Sequence, residues 1–219
     1  GELLLAANRP DDAISAFSQA VAAEPDRAIW YARLGDAQLA ARRPGAAVSA
    51  YRSAAERDPN DASYLHALAS VYRDLGQNDV AADTLTKAIA LDPTRAEWRA
   101  ELGDIYLAAG DPRHAREALQ TARDMAPQQA AYHLRYAAAA LADNDPQAAE
   151  AALATALALD ANAAPTHAAL AQVYERQGRL EDALSEYQRA VEIAPEVNEL
   201  IAAGRLARRL GYPHDALRY

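Results

Sequence analysis

Ten of the eleven prolines fall into two series that share one period. Pro25, Pro59, Pro93, Pro127 and Pro195 stand at successive intervals of 34, 34, 34 and 68, and Pro10, Pro44, Pro112, Pro146 and Pro213 at intervals of 34, 68, 34 and 67. Only Pro165 is off the beat, and one residue is dropped near the last unit. Proline fixes its own φ and has no amide donor, so within a helical chain it belongs in first turns and connections. A chain that sets its prolines on one such beat repeats a single supersecondary unit along its whole length.

Other positions keep the same beat. Ala13, Ala47, Ala81, Ala115, Ala149, Ala183 and Ala216 form one series, Ala20, Ala54, Ala88, Ala122, Ala156 and Ala190 a second, and Phe17, Tyr51, Leu85, Leu119, Leu153 and Tyr187 stand between them. Each unit reads as two helices. In the third, Trp98, Leu102 and Tyr106 recur at every fourth place and line one face of a first helix, A. Gly110 stands where a helix ends in a left-handed residue, Asp111 can cap the next helix and Pro112 fits its first turn. Ala115, Leu119 and Ala122 then form the buried stripe of a second helix, B. The alanine-rich stretch 136–146, YAAAALADNDP, is in register: Asn144 stands with Gly76, Gly110 and Gly178, and Asp145 with Asp111. There Tyr136 takes the place of the usual Leu and Ala140 that of the tyrosine one turn later, which reads as compensated drift or, alternatively, as a local change in curvature or a shallow pocket beside Leu134, Arg135 and Leu141.

This pattern resembles the tetratricopeptide repeat, or TPR, over the whole chain. Leu34-Gly35, Leu68-Ala69, Leu102-Gly103 and Leu170-Ala171 look like the family's Leu-small pair, and Tyr72, Tyr106 and Tyr174 like its helix A tyrosine. Trp30 and Trp98 stand four places before the Leu instead of three, so the first turn of helix A is expected to meet its neighbours differently. The resemblance implies an all-α, right-handed superhelical solenoid of antiparallel helix pairs with period 34. The expected organisation is one array over 1–219: a partial repeat 1–27, repeats 28–61, 62–95, 96–129, 130–163 and 164–196, and a partial repeat 197–219. Both ends fall inside repeats and no initiator Met is present, so the expectation is a piece of a longer protein.

Composition narrows function by exclusion. Half of the chain is apolar (51%), but alanine inflates that figure beside one Phe, one Met and two Trp, so any core is built by close approach of small residues. A formal charge of −9 argues against a phosphate-tracking surface, and nucleic acid is not an expected partner. The basic residues are Arg apart from Lys87, a bias that reads as GC-rich bacterial coding. No apolar run approaches the roughly 20 residues that cross a bilayer, so direct membrane insertion is not expected. The compartment stays open between bacterial cytoplasm and periplasm.

No residue pattern points to catalysis or to a cofactor. There is no nucleophile elbow, Gly-rich phosphate loop or HExxH. His133 and His167 occupy equivalent places in adjacent repeats, but neither has an acidic partner at i+3 or i+4, so packing is the reading preferred over a metal. His66, His114 and His214 look isolated. The cysteine count is zero, which removes disulfides and thiolate ligands.

What remains is surface. The TPR resemblance implies a concave groove lined by helix A positions, and these fall here on Asp36, Arg73, Glu101, Asp104, Leu107, Leu134, Arg135, Ala138, Leu141, Gln172, Arg176 and Arg205, and also on Arg33, Leu39, His66, Ser70, Asp74, Glu97, Glu175, Arg208 and Arg209. The third repeat is acidic, the centre apolar and the C-terminal end basic. Such charges are either solvated faces or a reader of an extended or helical partner segment. The family's Lys/Asn clamp for chaperone C-termini has no counterpart in a chain with one lysine. The resemblance implies a non-enzymatic scaffold for a protein or peptide partner. Two other readings stay open: a spacer or self-associating region of a bacterial envelope or exopolysaccharide-secretion protein, and a regulatory arm of an enzyme whose catalytic domain lies elsewhere.

Overall fold

A computed structural model of the chain describes residues 1–212; Pro213, His214 and Ala216 lie outside the described residues. The chain forms two compact units, Gly1–Ala109 and Gly110–Tyr219, and regular structure among the described residues is helical throughout. The first unit holds α1 (Glu2–Ala6), α2 (Pro10–Ala23), α3 (Ala28–Ala40), α4 (Pro44–Arg57), α5 (Ala62–Asp74), α6 (Asn78–Leu91) and α7 (Ala96–Ala108). The second holds α8 (Pro112–Met125), α9 (Ala130–Ala142), α10 (Pro146–Leu159), α11 (Ala164–Gln177), α12 (Leu180–Ile193) and α13 (Val197–Arg209). Within each unit every helix packs on its neighbours in sequence, and α9 also touches α11. The short α1 has no counterpart in the sequence reading; its Leu4 and Leu5 pack with Phe17.

The turn from helix A to helix B is built the same way in repeat after repeat. Asn8, Arg42, Gly76, Gly110, Asn144 and Gly178, which share one place in successive repeats, all take positive φ between 55 and 79°. The residue after the left-handed one sends its amide back to the helix, as in Arg43 N to Gln38 O (2.8 Å), Gln77 N to Tyr72 O (2.9 Å) and Asp145 N to Ala140 O (2.8 Å). That 6→1 bond satisfies carbonyls that a helix end otherwise leaves open. Helix B then starts on proline in α2, α4, α8 and α10, with the Asp111 carboxylate accepting from His114 N and Asp145 from Ala148 N. The dropped residue lies in the connection 194–196, which is one residue shorter than 24–27, 58–61, 92–95, 126–129 and 160–163.

Small residues bring the helices together. Ala13, Ala47, Ala81, Ala115, Ala149 and Ala183 are completely buried, and beside them Phe17, Tyr51, Leu85, Leu119, Leu153 and Tyr187 fill the space the alanines leave. Alternating small and large side chains at fixed places lets adjacent helices interdigitate at close range. Gly35 marks one such close approach, since a Cβ there would stand 2.8 Å from the Tyr51 ring.

Candidate functional site

The helix A residues expected to face a partner are all half-buried or exposed, so none is consumed by the core. The two units differ in what those residues do.

In the first unit the charges are engaged with each other. Tyr51 of α4 donates its hydroxyl to Asp36 Oδ1 at 2.6 Å, while Arg33 lies 3.4 Å from Asp36 Oδ2 and 3.2 Å from Glu2. Burial, and then the Asp36 carboxylate, push the Tyr51 phenol well above the ordinary tyrosine range. His66 Nε2 lies 2.8 Å from Glu101 Oε2, and its ring stacks on Trp98 with centroids 4.8 Å apart, so His66 ties α5 to α7 instead of standing isolated. The off-register tryptophans do meet their neighbours in a shared way: Arg27 lies over Trp30 and Arg95 over Trp98, each 5.2 Å from the ring centroid. Arg73 pairs with the adjacent Asp74 in an exposed position, and Asp104 and Leu107 are half-buried on α7. His114, also read as isolated, is held by Asp111 at the start of α8 in the second unit.

In the second unit six of the expected residues converge. Leu141 of α9, Gln172, Glu175 and Arg176 of α11, and Arg205 and Arg209 of α13 line one cleft of about 490 Å³ together with Leu206. Leu206 is almost completely buried and forms the apolar floor. Glu175 is already occupied, accepting from Tyr187 Oη at 3.2 Å and from Arg205 Nη2 at 3.0 and 3.3 Å. Burial and then Glu175 raise the Tyr187 phenol above its usual range. Arg176 and Arg209 have no ion-pair partner among the described residues, so the cleft presents two guanidinium groups beside Leu141 and Leu206. Leu134, Arg135 and Ala138 lie on α9 outside this lining.

The shallow pocket that is an alternative to compensated drift would lie beside Leu134, Arg135 and Leu141, and Tyr136 faces elsewhere. Tyr136 turns towards α8 and α10, where Arg123 covers its ring at 4.3 Å, and a separate cavity of about 380 Å³ opens there. The physical reason is the helical face: residues 134 and 135 are rotated away from 136, so bulk added at 136 lands between α8 and α10. His133 and His167 are both buried, each giving Nε2–H to a carbonyl six places earlier. His167 does have an acidic partner, Glu186 on α12, far beyond the three or four places that a single helix face spans.

Tetratricopeptide repeat family models match residues 1–62, 72–139 and 164–197. The chain belongs to the tetratricopeptide repeat family. Residues 140–163, which include α10, fall between the second and third TPR matches. The chain matches no curated protein. Solved structures share the fold. YrrB, a TPR protein with an unusual peptide-binding site, aligns at a TM-score of 0.73 with 20% identity, over 88% of this chain and 100% of its own. PilF from Pseudomonas aeruginosa aligns at 0.69 with 21% identity, over 96% and 90% of the two chains. MamA from Desulfovibrio magneticus RS-1 aligns at 0.70 with 20% identity, over 76% and 94%. TPR proteins are generally non-catalytic scaffolds. No helix among the described residues is long and apolar enough to cross a membrane.

Proposed function

We propose that this TPR chain is a non-catalytic interaction scaffold that holds a segment of a partner protein in the cleft between α9, α11 and α13. The observation that carries the reading is the lining of that cleft: an apolar floor at Leu141 and Leu206 beside Arg176 and Arg209, whose charges no described residue neutralises. Apolar anchors with charges at one side fix both the placement and the direction of a bound segment. The segment therefore carries an apolar residue and an acidic neighbour, with Gln172 available to its backbone. Leu134, Arg135 and Ala138 extend the same α9 surface, and Asp36, Arg73, Glu101, Asp104 and Leu107 form a separate surface of the first unit. No observation favours the spacer or regulatory-arm readings over this one.

Selection of a random peptide library on the protein tests the proposal. Enriched peptides are expected to combine an apolar residue with an acidic one and to bind the Arg176→Glu/Arg209→Glu variant at least about tenfold more weakly, the weight of one charge-assisted contact. Failure to enrich any peptide, or peptides indifferent to both reversals, would reject the cleft as the site.

A further inference from the structure

Two equivalent histidines have unequal surroundings, and the difference leaves one ring nitrogen without a partner. His133 gives Nε2–H to Pro127 O at 2.9 Å, and His167, at the same place of the next repeat, gives Nε2–H to Ala161 O at 3.1 Å. With Nε2 committed as the donor, Nδ1 is the nitrogen that needs a partner in both. His167 has one, Glu186 Oε2 at 2.6 Å. In His133, itself 7% exposed, Nδ1 is buried and unpartnered. The counterpart of Glu186 in the preceding repeat is Ala152.

The same substitution of small for large runs along α10. Ala148, Ala151, Ala152 and Thr155 line the cavity of about 380 Å³ next to His133, and their counterparts on α12 are Asp182, Ser185, Glu186 and Arg189. Of these counterparts Asp182, Ser185 and Arg189 are exposed and Glu186 alone is half-buried, so the cavity lies where α12 sets Glu186 beside its histidine, and its size suits a small ligand group. Its lining joins three alanines and Thr155 to His133, Tyr136 and Arg123; the His133 Nδ1 itself is closed off from solvent, and the Arg123 guanidinium covers the Tyr136 ring beside it. A buried polar nitrogen with no partner is rare and costly in native structures, and a group that satisfies it binds with that gain.

We propose that this cavity is a second binding site, which receives the glutamate side chain of a partner protein in the place where the neighbouring repeat uses its own Glu186. The pair with Nδ1 holds one proton, either on a carboxyl that donates to the imidazole or on an imidazolium that donates to the carboxylate. Arg123, which pairs with the adjacent Asp124 at 3.3 Å, moves off Tyr136 to admit the group and supplies a second, charged contact. The lining shares no residue with the α9–α11–α13 cleft, so this site stands or falls independently of it.

The test uses acetyl-Ala-Glu-Ala-amide as the probe, its Gln counterpart and free glutarate as comparisons, and the imidazole ¹⁵N resonances of His133 as the readout. The Glu peptide is expected to shift the Nδ1 resonance and to bind about tenfold or more tightly than the Gln peptide and glutarate. Ala152→Glu is expected to give the bound-type Nδ1 resonance without peptide and to abolish binding. Ala152→Leu, which fills the volume without a carboxyl, is expected to abolish binding while leaving Nδ1 unpaired. An unshifted Nδ1 with peptide at its solubility limit, or equal binding to a folded Ala152→Glu or Ala152→Leu variant, overturns the proposal. Glutarate binding as tightly as the peptide overturns the assignment to a protein side chain and gives the site to free dicarboxylic acids.

Discussion

Arg42 is the residue most at odds with its position. It takes φ 58° at the turn where Gly76, Gly110 and Gly178 stand, and a residue with a Cβ held left-handed costs roughly 1–2 kcal/mol that glycine does not. Its side chain is exposed, so little else is lost with it. Arg42→Gly is expected to raise stability by about 1 kcal/mol in urea denaturation, and Gly110→Arg to lower it by about as much. Tyr51 makes a prediction of a different kind. Its folded phenol is held above the ordinary value of 10.0 by burial and by Asp36, so the folded state keeps its proton longer than the unfolded state does. Its stabilisation is complete below pH 10 and is lost as pH rises through 10 towards the folded value, by at most about 1.4 kcal/mol per pH unit for this one group. Urea midpoints measured from neutral to strongly alkaline pH are expected to fall above pH 10, and Tyr51→Phe to flatten part of that slope.

Between elements, the His167–Glu186 pair joins α11 to α12 at 2.6 Å with both side chains largely buried. Removing the carboxylate by Glu186→Ala leaves a buried imidazole nitrogen without a partner and is expected to cost about 1–3 kcal/mol, read by thermal or chemical unfolding. The sequence already displayed the helices, the left-handed turns, the Asp111 and Asp145 caps and the small-large packing series, because each is a local demand on one residue type that recurs in every repeat. It did not display the His167–Glu186 pair, the His66–Trp98 stack, the Tyr51–Asp36 bond or Leu206 as a cleft floor. Those depend on distances between side chains of different helices, which a single-helix spacing of three or four cannot express. One signal was present and unread: comparing α10 with α12 position by position shows alanines where His167's repeat carries Asp182, Ser185 and Glu186. The short α1 escaped for another reason, since its single turn is too brief to show a helical period.

At the scale of the molecule, a chain with formal charge −9 presents Arg176 and Arg209 together in one cleft. The Debye length near physiological salt is about 8 Å, so a bound acidic segment feels these two guanidinium groups far more than the remote net charge. Binding of such a segment is therefore expected to weaken as salt is raised, and to weaken less steeply in the Arg176→Glu/Arg209→Glu variant. The measurement that bears most directly on the scaffold function is calorimetric titration of a library-selected peptide into the native protein and into that double variant, with both folds checked by circular dichroism. The cleft account predicts saturable binding that falls at least about tenfold on reversal of the two charges. Equal affinity for the two proteins would contradict it.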